Sequence, residues 1–410
     1  MKRILSVILT VIFIFTGIFT PITVIASPEE ISEDTENTEV TETKDMGIEI
    51  ESASAVLIEG STGEIIYEKN MNEKLPPASI TKIMTMLLIF EALDAGEFSL
   101  QDEISVSEHA ASLGGSQVYL EPNEIQTVET MIKCIAIASA NDASVAMAEF
   151  VAGTEEEFIR RMNERAKELE MNNTNFVNSY GLDADGHYST AHDIGIMSKE
   201  LVTKFPEISD YSTIWMDTII HKTRKGESEF GLTNTNRLVR FYDGITGLKT
   251  GSTSLAKYCL SATANRDDMD LIAVIMAAPT TKIRFSEASK LLDYGFANCK
   301  LFKDNNDDLE IIPIEVDWGV KEELIYRVDD EFTYLCMRDT DPDSITKEVR
   351  LLEEVQAPIN ENDSVGEILY YANNKEIGSV NVVAAETIEK ATFLDCLNNA
   401  FYKFILSQNL

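Results

Sequence analysis

The sequence predicts an α+β protein in three parts: a domain of mixed strands and helices, a small β-rich domain, and a C-terminal amphipathic helix. Three observations predict this. Residues 50–300 carry strand signals at both ends and helical stretches between them. From Leu301 the pattern changes to short β-like runs cut by acidic and Asn-rich turns, as far as residue 388. Over 389–410, Phe393, Leu394, Leu397, Ala400, Phe401, Phe404 and Ile405 recur at helical steps, with Asp395, Asn398, Asn399 and Lys403 between them.

In chain order, Met1-Lys2-Arg3 is a basic start, Ile4 to Thr20 an apolar run, and Val24-Ile25-Ala26 a small-residue end. This predicts a signal peptide over 1–26, cleaved near Ala26, with an uncleaved anchor helix as the alternative. Either one predicts a chain lying outside the cytoplasm. From Ser27 to Asp45, eight acidic residues stand against Lys44 with almost nothing apolar, which predicts a disordered spacer reaching to residue 49. Ala55 to Glu59 and Glu64 to Glu68 flank Gly60-Ser-Thr-Gly63, a hairpin signal. Ile80 to Leu93 is apolar on nearly every face and closes at Gly96, so it should be a central buried helix.

Helices are expected at Val128 to Ala138 and Ala143 to Val151, broken by Ser139-Ala-Asn-Asp142. Thr154-Glu-Glu-Glu157 reads as a capping box opening another helix. Gly181 to Asp193, rich in Gly and Asp, reads as a long surface loop. Strands are expected at Tyr258 to Ala264 and Leu271 to Ala277, then a helix from Thr281 to Tyr294. Further β runs follow at Leu309 to Val316, Leu324 to Val328, Val365 to Tyr371 and Ile377 to Val383. The terminal helix could lie in a membrane interface or dock on its own domain.

Composition narrows the partners. The 410 residues hold 34 Lys+Arg and 70 Asp+Glu, a net charge of −36, which argues against nucleic acid, whose phosphates demand a basic footprint. Five cysteines without a Cys-x-x-Cys pair and four histidines without His-Glu-x-x-His indicate neither a disulfide framework nor a metal site. No cofactor is expected.

Three short motifs carry chemistry. Ser79-Ile-Thr-Lys82 stands at the start of the central helix, where i and i+3 share a face. A serine hydroxyl needs a base at neutral pH, and a desolvated lysine can be one. Ser139-Ala-Asn141 lies in a helix break, where side chains can project into a cleft. Lys249-Thr-Gly251 approaches the strand at Tyr258, where Lys249 and Thr250 could hold a carboxylate while Gly251 permits close backbone approach. Singly each is common: Ser344-Ile-Thr-Lys347, Ser254-Leu-Ala-Lys257, Ser379-Val-Asn381 and Ser407-Gln-Asn409 match the same patterns and read as background.

Together, in this order and in one domain, the motifs resemble the S-x-x-K, S-x-N and K-T-G set of the penicillin-recognising serine hydrolases. Pro77-Ala-Ser-Ile-Thr-Lys-Ile-Met-Thr85, Ser139-Ala-Asn-Asp-Ala-Ser-Val-Ala-Met-Ala148, Gly181-Leu-Asp-Ala-Asp-Gly-His-Tyr-Ser189 and Asp243-Gly-Ile-Thr-Gly-Leu-Lys-Thr-Gly251 are similar to those of the D-alanyl-D-alanine carboxypeptidases, the low-molecular-mass penicillin-binding proteins.

The resemblance implies a β-lactamase/transpeptidase-like domain over 50–300, an antiparallel sheet flanked by helices. It implies Ser79 as nucleophile, Lys82 as base, Ser139 as proton relay to the leaving amine, and Asn141 on the substrate backbone. Lys249, Thr250 and Gly251 would form the carboxylate end of the site, and the N–H groups of Ser79 and Ser252 the oxyanion hole. The implied substrate is a peptidoglycan stem peptide ending in D-Ala-D-Ala, with β-lactams as inhibitors. The implied location is the extracytoplasmic face of a bacterial membrane, held peripherally by the C-terminal helix.

Alternatives on the same fold are a D,D-endopeptidase or a weak β-lactamase; another is a silent wall-binding scaffold. The stretch from Gly181 to Asp193 lacks the Glu-x-x-Leu-Asn pattern with which class A β-lactamases activate water. Many relatives carry His or Tyr where Ser252 stands, but a backbone donor is indifferent to that change.

Overall fold

The protein's structure, a computed structural model, describes residues 47–224 and 226–407. The expected leader and the acidic segment through residue 46 lie outside the described residues.

Strand β1 (Ser54–Glu59) turns at Gly63 into β2 (Ile65–Lys69), the hairpin that the sequence predicts, with Leu57 opposite Tyr67. Much later in the chain, β3 (Ile245–Thr253), β4 (Lys257–Arg266) and β5 (Met269–Ala278) complete one antiparallel sheet in the order β2-β1-β5-β4-β3. Strand β3 is therefore an edge. The sequence places Lys249-Thr-Gly251 only on the approach to a strand, whereas the structure gives the motif a nine-residue strand of its own. The glycines at 244, 247 and 251 mask the β pattern there.

Helices cover both faces of this sheet. Alternate residues of β1 point to opposite sides. A Cβ on Gly195 would stand 2.4 Å from Ile58 Cδ1, and one on Gly295 would stand 3.1 Å from Leu57 Cδ2. The helices carrying these glycines thus press directly on opposite faces. Among the helices of one face runs α1 (Lys82–Asp94), buried at Ile83, Met84, Met86, Leu87, Ile89 and Phe90 and ended at Gly96, which takes a positive φ of 70°. A helix with no polar face has to be surrounded. Of the helices that follow, α2 (Val128–Ala136) packs on α3 (Asn141–Ala152), while α3, α4 (Glu155–Glu168) and α5 (Ala191–Lys204) pack against α1. Thr154 caps α4 as its sequence predicts, its hydroxyl accepting the Glu157 N–H at 3.2 Å. Helix α6 (Thr281–Asn298) lies on β4 and β5.

Two stretches differ from expectation in this part. Gly181 to Asp193 is a surface loop only in part: residues 182–186 are exposed, but His187, Ser189, Thr190 and Asp193 are buried, and α5 begins at Ala191, capped by Thr190. Gly and Asp mark turns, but here the turn is pressed against the start of α1. A second hairpin, Met216–Thr223 with Gly226–Thr233, has no counterpart in the sequence reading.

From Cys299 the chain is β-rich, with its own core of Tyr326, Ile368, Tyr370, Val382 and Ile388. The Phe332 and Tyr370 rings stack there at 3.8 Å. The main sheet holds Tyr326–Val328, Lys375–Ala384, Ser364–Ala372 and Thr346–Leu351 in that order. The expected run Leu309 to Val316 shrinks to Ile314–Asp317, and Ile311 and Ile312 are exposed. Beside this sheet the segment Asp304-Asn-Asn-Asp-Asp308 curls around one ammonium group. Lys347 Nζ donates to Asp304 Oδ2 at 2.9 Å, Asn306 Oδ1 at 3.0 Å and Asp308 Oδ1 at 2.7 Å.

The last element is α7 (Phe393–Ser407), which follows an Ala391 N–H bond to the Trp318 carbonyl. Phe393, Leu394, Leu397 and Phe401 are exposed, so these side chains are not docked on the domain. Among the described residues no helix is long and apolar enough to cross a membrane.

Candidate active site

The site forms where the tight turn Ala78–Thr81 runs into α1. Ala78 sits at a positive φ of 50°, an uncommon conformation for a residue with a Cβ. Two glycines make room for the next peptide. A Cβ on Gly181 would lie 1.9 Å from Ala78 O, and one on Gly251 would lie 3.0 Å from Ser79 N. The backbone around Ser79 is thus gripped between the 181 loop and β3.

Lys82, one turn on, is completely buried. Its Nζ lies 3.2 Å from Ser79 Oγ, 2.7 Å from Asn141 Oδ1 and 2.6 Å from the Tyr180 carbonyl oxygen. Burial, with the charge of nearby Lys249 second, pulls its pKa well below the ordinary lysine value, and Asp142 opposes this. A neutral amine has two N–H groups and one lone pair. Asn141 and Tyr180 supply two acceptors that can be nothing else here, so the lone pair is left for the Ser79 hydroxyl proton.

Ser139 stands in the break between α2 and α3 at a positive φ of 61°, buried, and Lys249 Nζ donates to its Oγ at 2.8 Å. Asn141 opens α3, and its Nδ2 donates to the Gly114 carbonyl at 2.7 Å, which fixes the amide so that Oδ1 faces Lys82. Lys249 is also buried, and desolvation first, then the Arg284 charge, lower it to about 7. Thr250 Oγ1 donates to Thr235 Oγ1 at 2.7 Å. Ser252 follows on the same edge strand, exposed. Strand β3 therefore offers its free edge beside Ser79, with Lys249 and Thr250 at hand for an anion.

The structure thus gathers Ser79, Lys82, Ser139, Asn141, Lys249, Thr250, Gly251 and Ser252 into one cleft. The background matches stand elsewhere: Ser344 ends a short turn in the β-rich region, Ser379 lies in one of its strands, and Ser254 sits in the turn joining β3 to β4. Sequence reasoning missed several partners. Arg284, on α6, donates to the Gly251 and Cys259 carbonyls at 3.1 and 3.2 Å, and burial lowers it to about 10. Nothing in its local sequence announces this. Asp183 accepts the Thr253 hydroxyl at 2.6 Å and ties the 181 loop to the end of β3. Tyr180 contributes only a carbonyl, which no residue pattern reveals.

Fold and site define a penicillin-recognising serine hydrolase. Residues 38–280 match the family model described as D-alanyl-D-alanine carboxypeptidase, and residues 300–390 match the C-terminal domain of penicillin-binding protein 5. The chain belongs to the D-alanyl-D-alanine carboxypeptidase family. It is 44% identical over 350 residues to the D-alanyl-D-alanine carboxypeptidase DacF of Bacillus subtilis, covering 85% of this chain and 88% of that one. It is 33% identical over 356 residues to DacC of Escherichia coli, covering 84% and 86%. Among solved structures, penicillin-binding protein 5 of Haemophilus influenzae superimposes with a TM-score of 0.73 at 28% identity, covering 84% of this chain and 99% of that one.

Proposed function

We propose that this serine-type D-Ala-D-Ala carboxypeptidase removes the terminal D-alanine of peptidoglycan stem peptides through an acyl-enzyme on Ser79. The observation that carries the assignment of Ser79 is the bonding of Lys82, whose two N–H groups are taken by Asn141 and Tyr180 while its third contact is the Ser79 hydroxyl. The peptide lies along the β3 edge as an added strand, its terminal carboxylate at Lys249 and Thr250. Ser79 Oγ attacks the carbonyl carbon between the two alanines as Lys82 takes the hydroxyl proton. The N–H groups of Ser79 and Ser252 hold the oxyanion, each such donor being worth about 100- to 1000-fold in rate. As the C–N bond breaks, a proton returns to the leaving amine through Ser139, and Asn141 holds the acyl part. Water then cleaves the ester, giving the shortened peptide and free Ser79. A β-lactam acylates the same hydroxyl.

A fluorescent penicillin should label the protein and fail to label Ser79→Ala; persistent labelling of that variant overturns the assignment. Release of D-alanine from a pentapeptide ending in D-Ala-D-Ala supports the carboxypeptidase. Cleavage of cross-linked dimers alone supports the endopeptidase reading instead.

A second reading concerns location. The apolar side chains of α7 left uncovered in the described chain support its lying in a membrane interface, each well-buried large side chain contributing about 1.5–3 kcal/mol. Together with the leader expected from the sequence over 1–26, this reading puts the enzyme peripherally on the outer face of the bacterial membrane. Ending the chain after Ala391 should release it from washed membranes with peptide activity intact; retention of the shortened chain removes α7 as the anchor.

A further inference from the structure

A buried histidine stands one hydroxyl away from the nucleophile's turn, and the reaction outlined above does not use it. His187 Nδ1 accepts the Val177 N–H at 3.0 Å. That bond fixes the tautomer, because a ring nitrogen that accepts carries no proton. Nε2 therefore bears the hydrogen, and it faces Thr81 Oγ1 at 2.8 Å. The Thr81 hydroxyl, receiving that proton, sends its own to the Ala78 carbonyl oxygen at 2.8 Å. Thr81 is completely buried and His187 nearly so. Burial holds the imidazole down to about 4, against a weaker opposite pull from Asp183, so the neutral ring persists at neutral pH.

The receiving carbonyl is the one that matters. It belongs to Ala78, the residue held at a positive φ of 50°, and its peptide supplies the Ser79 N–H. Without a directed donor the Thr81 hydroxyl can rotate, and the strained peptide loses a buried partner whose orientation is set from outside the turn. A donor of the oxyanion hole works only when aimed in advance.

We propose that His187, acting through the Thr81 hydroxyl, holds the Ala78–Ser79 peptide in its left-handed setting and so aims the Ser79 hydroxyl and N–H for acylation. His187 is a positioning residue, and this role rests on Ser79 being the nucleophile.

The test separates aiming from mere support of the 177 loop. Glutamine can place its amide N–H near the Nε2 position and donate to Thr81, whereas asparagine can place its oxygen near Nδ1 and keep only the Val177 bond. Acylation of the full chain by a fluorescent penicillin is followed to saturation, giving a rate constant and a half-saturating concentration. His187→Asn and Thr81→Val should each slow the rate constant by about 10- to 100-fold, as for a small misplacement of reacting groups. The half-saturating concentration should stay put. His187→Gln and Thr81→Ser should remain near wild type, and Thr81→Val with His187→Asn should be no slower than either alone.

Equal loss in His187→Gln and His187→Asn overturns the proposal, as does a multiplicative double variant or a change confined to half-saturation. If His187→Asn does not fold, Thr81→Val against Thr81→Ser decides alone: equal rates in those two reject the relay. Ser79→Ala is run beside them, since its continued labelling would remove the nucleophile assignment whatever the His187 variants do.

Discussion

Ser-Ile-Thr-Lys occurs twice in this chain, at 79–82 and at 344–347, and the two copies end in opposite chemical states. Lys82 is sealed at the start of α1 with carbonyl oxygens and a hydroxyl as its neighbours, beside a second lysine, and is driven toward the neutral amine. Lys347 also has burial working against its charge, yet hydrogen bonds to Asp308 and Asp304 outweigh it and the group is raised, so it stays an ammonium ion. The difference is not in the motif but in how deeply the amine is buried and how closely counter-charge is supplied: the fully desolvated Lys82, with only Asp142 pulling the other way, becomes a base, and the partly exposed Lys347, bonded directly to carboxylates, becomes a structural cation.

The largest test of this contrast is at the serines. Ser79→Ala should abolish acylation by penicillin, whereas Ser344→Ala should leave its rate unchanged, both read by fluorescent labelling. Next come the lysines. Lys82→Met should slow acylation by about 100- to 10,000-fold, the usual share of a general base, and Lys347→Met should not change it.

The pH profile then sharpens the account of the two active-site lysines. Lys249 has to be charged to hold a carboxylate, and in the empty cleft it titrates at about 7. For peptide substrate, kcat/KM should therefore fall about tenfold per pH unit above that value. The limb for kcat should lie higher, because a bound carboxylate raises the lysine's pKa. On the acid side both should fall as Lys82 gains its proton.

The smallest effect is on stability. Lys347→Met should lower the melting temperature by a few degrees, for a loss of about 1–2 kcal/mol when Asp304 and Asn306 lose their shared donor. Lys82→Met should hold it level or raise it, because removing a desolvated amine offsets the carbonyl oxygens left bare. A large drop in the second variant, read by the same thermal melt, would break the contrast.

These experiments also mark how much could be read from the chain. The hairpin at 54–69, the fully apolar α1 and the helix break holding Ser139-Ala-Asn141 are local patterns, and each came out where the pattern put it. What stayed hidden is set by contact between distant segments. Arg284 reaches β3 from α6, Thr235 meets Thr250 across a turn, and Tyr180 acts through its backbone alone. The 181 loop was read as surface because its glycines and aspartates look like solvent-facing turns, yet Gly181 is needed so that the Ala78 carbonyl can lie against it. The edge strand at Lys249 was underestimated for a related reason: glycines weaken strand propensity just where another backbone has to approach.

The ring of oxygens around Lys347 has one more consequence. Loops with alternate Asp and Asn side chains commonly wait for a divalent ion to diffuse in, and their order then follows the concentration of that ion. Here the cation is part of the polymer, delivered by the strand Thr346–Leu351, so neutralisation is intramolecular. Chelation cannot strip it and dilution cannot weaken it. The junction leaving Cys299–Asp304 is thereby set once, at folding, and should melt at the same temperature whether or not a chelator is present.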